Sequence, residues 1–129
     1  MRLLTIYLEA VELRGSEYGV TMIVGGQLVS GVLTPLRRFE AWQERSFAIS
    51  ELHGGRVAFE LEPIAPLTPE ESAAIAAEHA DTPSTPDEPF EFGCLRDARI
   101  HGGDGSSMPL PFLVFRADDV SALSPSVPM

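Results

Sequence analysis

Three histidines, one cysteine and two closely spaced arginines hold most of the chemistry this chain could offer. His53, His79 and His101 fall in a turn, an exposed helix and a turn. Neither His-Glu-x-x-His nor a repeated Cys-x-x-Cys occurs, so no metal site is expected. His101 with Asp97 and Asp104 would make a weak acid–base or metal cluster at most, and reads as a polar turn. Cys94 sits in an apolar alternating run, which suits a small buried side chain better than a thiolate nucleophile. Gly102-Gly103-Asp104-Gly105 has the glycines of a phosphate-cradling loop. It lacks the Lys and following Ser/Thr that would grip the anion. Ser30 or Thr21 as a nucleophile has no base that the sequence places beside it. Arg96 and Arg99 flank Asp97 and suit surface ion pairs or an anion contact. No catalytic or cofactor-binding residue is assigned, and a non-enzymatic protein without a cofactor is expected.

These side chains hang on a frame organised by Tyr18–Leu33. Gly25-Gly26 tolerates the positive φ angles of a two-residue hairpin turn. A turn there pairs Val24 with Gln27, Met22 with Val29, Val20 with Gly31 and Tyr18 with Leu33. One face then carries Tyr18, Val20, Met22, Val24, Val29 and Leu33 toward a core. The other pairs Ile23 with Leu28 and Thr21 with Ser30. Gly31 inside the second strand marks a bend or a close backbone approach.

Residues 2 to 13 space Leu4, Tyr7, Leu8 and Val11 as a helix would, with Gly15 as its stop; a strand is the competing reading. Thr34-Pro35 looks like the cap and first residue of a helix over about 35 to 49. That helix lays Phe39, Trp42 and Phe47 on the sheet, with Trp42 alternatively a partner anchor. Arg56 to Glu62 alternates as a half-buried strand. Thr68-Pro69-Glu70-Glu71 is a capping box, opening an Ala-rich surface helix that runs to about Ala80. The Pro-rich acidic stretch at about 81–89 is a polyproline-like linker. Phe90, Phe92, Cys94, Ala98 and Ile100 mark one strand face, with a bulge near Asp97. Met108 to Pro111 leads into a strand over Phe112–Arg116. Val120 and Leu123 add a short final one, and residues 124–129 fray. The fold class is α+β: a small, strongly bent, mainly antiparallel sheet or partial barrel with two or three helices. It forms a single domain over 1–129.

The chain carries 19 acidic and 9 basic residues, for a net charge of -10. Every basic residue is Arg. Between Arg56 and Arg96 stand nine acids and no base: Glu60, Glu62, Glu70, Glu71, Glu78, Asp81, Asp87, Glu88 and Glu91. Such a field repels nucleic acid and anionic lipid, so neither is an expected partner. The segment is either a solvated face or an arm that docks on a basic protein. With no long apolar run, no signal-peptide pattern and one thiol, a cytoplasmic protein is expected.

Two stretches together resemble the gas-vesicle accessory protein U family. The first is Tyr18–Leu33, with its Gly-Val-Thr strand, Gly-Gly turn and Val-Ser-Gly strand, followed by Arg38-Phe39-Glu40. The second is Leu95-Arg96-Asp97-Ala98-Arg99-Ile100, then the glycine turn, Met108-Pro109 and the apolar strand ending in Arg116 with Val120-Ser121. They cover about 50 of the 129 residues. The Trp-rich strand usual in that family is replaced here by Phe112–Arg116, and residues 54–89 do not align. The resemblance implies an accessory or interaction protein that assists vesicle assembly or clusters vesicles. It also implies contact with shell or other accessory proteins and self-association as a homo-oligomer, with the strand at Arg56–Leu61 as one edge for it. Arg96, Arg99, Trp42 and Arg116 are the candidate interaction surface. The bent hairpin with a later strand pair also looks like the small barrel of Sm-like proteins. The alternative function is therefore a generic protein- or ligand-binding module.

Overall fold

The computed structural model describes residues 2–52, 64–82 and 90–125. The strand expected at Arg56–Glu62, His53, most of the linker and the last four residues lie outside them. Helix α1 spans Arg2–Arg14, with Leu4, Leu8 and Val11 buried at i, i+4 and i+7, as a one-sided helix requires. Gly15 ends it at φ 71°, a left-handed conformation that a residue with a Cβ resists. Strands β1 (Tyr18–Val24) and β2 (Gln27–Thr34) form the hairpin, with every expected pair in register. Gly25 and Gly26 both have positive φ. The Gly25 amide also donates to the Asp119 carbonyl at 2.9 Å.

Helix α2 is Leu36–Leu52, α3 is Pro69–Glu78, β3 is Phe92–His101, β4 is Ser107–Arg116 and β5 is Val120–Pro125. The five strands make one antiparallel sheet in the order β4-β3-β2-β1-β5. The class is α+β, and the sheet is not closed. The run from Met108 to Pro111, expected as a lead-in, belongs to β4. Residues 124 and 125, expected to fray, pair with β1.

One sheet face holds the core. Val20, Met22, Val29, Leu33, Leu95, Ala98, Phe115 and Val120 pack with Leu4, Leu8 and Val11 of α1. Tyr7 meets Tyr18 edge-on at 5.0 Å. On the opposite face α2 brings Phe39 and Trp42 onto Phe112 of β4. α3 packs beside α1, burying Ile75.

The bulge expected near Asp97 is present. Val32 pairs with Arg96 and Ser30 with Arg99, so Gly31 stands opposite both Asp97 and Ala98. Asp97 has φ 48°, a conformation Asp tolerates better than most residues. A Cβ on Gly31 would sit 3.1 Å from the Ala98 Cα, so the glycine makes room for the extra residue. The expected face of β3 needs correction. Leu95 pairs with Leu33 on the core side, whereas Cys94 pairs with Thr34 and points the other way. Apolar residues at both 94 and 95 made the phase ambiguous, and α2's cover of the second face accounts for a buried Cys94.

Candidate functional site: a mixed-charge cradle at the β3 bulge

The bulge turns Arg96 and Asp97 toward a place where four other parts of the chain converge. Glu17 precedes β1, Thr34 closes β2, Arg38 lies in the first turn of α2, and residues 64–67 lead into α3. Glu17 is the hub. Its Oε2 accepts from Thr34 Oγ1 at 2.8 Å, from Arg38 Nη1 at 3.0 Å and from Arg96 Nε at 2.8 Å. Its Oε1 accepts from the Leu67 amide at 2.8 Å. Arg96, 9% exposed as a residue, also donates through its guanidinium to Asp97 Oδ2 at 2.8 Å and to the Ile64 carbonyl at 3.2 Å. Asp97 Oδ1 accepts from the Ile64 amide at 2.9 Å. Arg38 Nη2 donates to the Ala65 carbonyl at 2.6 Å.

Two guanidinium groups face two carboxylates, so the cluster is close to neutral and its buried charges are paired. Burial pushes the Glu17 carboxyl up. The hydrogen bonds from Arg96, Leu67 and Thr34 and the Arg96 charge outweigh it and hold Glu17 below its ordinary value. Burial pulls Arg96 down, but its bonds and charge attraction to Glu17 and Asp97 leave it raised. Neither group is poised to exchange a proton near neutrality. The cradle instead grips backbone: two amides and two carbonyls of residues 64–67.

Thr34 corrects an expectation. Its hydroxyl donates to Glu17 rather than capping α2. The free Leu36 amide at the start of α2 goes to Glu12 Oε1 of α1 at 2.9 Å, a carboxylate well suited to a helix N-terminus.

The candidate surface residues separate. Arg96 is inside the cradle. Trp42 stacks on Phe39 at 6.2 Å and lies 5.4 Å from Phe112, whose register partner is Arg96, so this aromatic cluster adjoins the cradle. Arg99 is exposed and donates to Ser107 Oγ at 3.1 Å. Arg116 is exposed at the far end of β4, opposite Phe92.

Asp97, His101 and Asp104 do not meet. Asp97 holds Ile64 and Arg96, while Asp104 Oδ1 accepts from the Ser106 amide and hydroxyl. His101 Nε2 lies 2.8 Å from Ser30 Oγ. A base beside Ser30 was not legible in sequence, because hairpin and β3 registers must both be known to see it. Among the described residues no carboxylate hydrogen-bonds His101, so the pair lacks the third group that orients a catalytic imidazole. Burial pushes the Cys94 thiol up to about 12, with the Glu12 charge adding to it, which leaves no thiolate near neutrality. Among the described residues no group of three or more His, Cys, Asp and Glu side chains could hold a metal ion, and no helix is long and apolar enough to cross a membrane.

Glu17 was absent from the sequence-derived candidates. Its only local sign is an acid placed between a helix-ending glycine and a strand.

No family model, curated protein or solved structure matches the chain.

Proposed function

We propose that this chain is a non-enzymatic accessory protein that assists gas-vesicle assembly or clusters vesicles through protein–protein contacts. The observation that carries it is how the two family-resembling stretches lie together. β2 pairs with β3 from Leu28–His101 to Thr34–Cys94, and the Glu17–Arg96 ion pair joins the chain just before the first stretch to the second. The resemblance thus falls on one contiguous body and not on two scattered motifs. Partners on this reading are vesicle shell or other accessory proteins and further copies of the chain. The protein is cytoplasmic and vesicle-associated. Arg99, Arg116 and the rim around Trp42 supply contact, with Arg96 organising the site beneath.

A generic binding module of Sm-like, partly barrelled shape is the second reading. Its support is a helix ahead of five antiparallel strands, interrupted by α2 and α3 after β2, with the last strand lying beside the first.

Flotation separates them. Mixed with purified gas vesicles and centrifuged, the accessory protein rises with the vesicles, and less of it rises at high salt. Protein that stays entirely in the lower buffer rules the vesicle reading out.

A further inference from the structure

We propose, on the reading of this chain as an interaction protein, that the cradle is a peptide-binding site occupied in cis. An extended, proline-containing segment of a partner protein displaces the chain's own residues 64–67 from it.

Among the described residues, the hydrogen bonds that hold this tetrapeptide all go to its main chain. The Ile64 amide goes to Asp97, the Ile64 carbonyl to Arg96, the Ala65 carbonyl to Arg38 and the Leu67 amide to Glu17. Pro66 occupies the one position where neither an amide nor a carbonyl is gripped among the described contacts. Ala65 and Pro66 are exposed, while Ile64 and Leu67 are half-buried. The pattern asks a peptide for an amide and a carbonyl at the first position, a carbonyl at the second and an amide at the fourth. It tolerates proline at the third and leaves the second side chain free. Selectivity at this level is for the spacing of main-chain groups, not for particular side chains.

Two features favour an exchangeable peptide over a fixed piece of core. Among the described residues the segment has no secondary structure, and these bonds and two half-buried side chains hold it ahead of α3. The neighbouring Phe39 and Trp42, both half-buried, lie over the buried Phe112 beside Arg96. Aromatic surfaces are where proline-rich segments dock, because the extended conformation is already formed and little entropy is lost. A longer partner segment that reaches these rings gains contacts the cis tetrapeptide does not make. It needs them, since a tethered occupant acts at an effective concentration of about millimolar.

The probe is a fluorescent, end-blocked peptide of residues 62–68, Glu-Pro-Ile-Ala-Pro-Leu-Thr, titrated into the full chain and followed by anisotropy. Ile64→Pro and Leu67→Pro in the protein each delete one gripped amide and loosen the cis occupant, while the peptide keeps both. Each variant should bind the peptide about tenfold more tightly than wild type, with circular dichroism unchanged. Adding Arg38→Ala to either should remove that gain. If folded Ile64→Pro and Leu67→Pro bind no better than wild type, the site is not exchangeable and the proposal falls. It falls too if both variants fail to fold, since the segment is then part of the core. In wild type the Leu67 amide should exchange with solvent faster than the Val29 and Leu33 amides of the central strand β2; exchange only at the rate of global unfolding overturns the idea independently. Peptide binding without vesicle flotation would retire the vesicle reading alone, and flotation without peptide binding would retire the cradle alone.

Discussion

Glu12 and Glu17 are five residues apart and respond to burial in opposite ways. Burial raises the Glu12 carboxyl, Glu40 adds to this, and the Leu36 amide and Arg37 offset only part of it. Glu17 has enough partners to end below the ordinary 4.5. The signs follow from linkage. Glu17's contribution is in place above pH 4.5 and is lost as pH falls through its lower folded value. Glu12 favours the folded chain when protonated, so its contribution is full below pH 4.5 and is lost as pH rises through its higher folded value. At pH 7 Glu12→Gln should therefore be more stable than wild type, and the difference should vanish below pH 4.5. Glu17→Gln should lose about 3 kcal/mol at pH 7, because it strands Arg96 and Arg38 beside a neutral amide. That deficit should shrink in acid. Urea midpoints at pH 7 and pH 4 check both. A Glu12→Gln protein weaker than wild type at pH 7 would show that its charge at the α2 terminus outweighs its burial.

α1 and α3 meet where Gly15 leaves no space. A Cβ there would lie 2.7 Å from the Ser72 carbonyl and 2.8 Å from its Cα, both main-chain atoms that a rotamer change cannot move. Added to the φ of 71°, this makes Gly15→Ala costly in two independent ways, about 2 kcal/mol or more together. Amide exchange should rise first in Ser72 to Glu78, ahead of the sheet. An exchange pattern unchanged from wild type would mean that α3 shifts freely over α1. The helix itself was readable beforehand. Thr68 accepts from the Glu71 amide at 3.1 Å and Glu71 accepts from the Thr68 amide at 3.2 Å, the reciprocal pair its sequence announced. The hairpin was readable residue by residue for the same reason, since its turn chemistry and alternation lie within sixteen residues. What was not readable depends on distant partners. Glu17 binds Leu67 and Arg96 across 50 and 79 positions, and no local pattern encodes that. The β3 face is ambiguous in sequence because Cys94 and Leu95 are both apolar, and only α2's position explains why both are buried.

Over the molecule as a whole, the described sheet has two edges, β4 and β5. β4 carries Pro109 and Pro111, which have no amide to offer an incoming strand, and such residues guard exposed edges. Replacing both with Thr should open that edge and raise the weight-average mass in light scattering; an unchanged mass would show the guard lies elsewhere. The expected self-association strand at Arg56–Leu61 lies outside the described residues. The Glu17 junction has a consequence in time. It closes only when the start of β1, the end of β2, α2, residues 64–67 and β3 have all arrived, which places it after the local hairpin and helices in assembly. Interactions absent from the folding transition state act on the escape rate alone. Glu17→Gln should thus refold as fast as wild type but unfold faster, by about two orders of magnitude for a loss of about 3 kcal/mol. The acid at this break in the chain then sets how long the assembled protein lasts, not how quickly it forms.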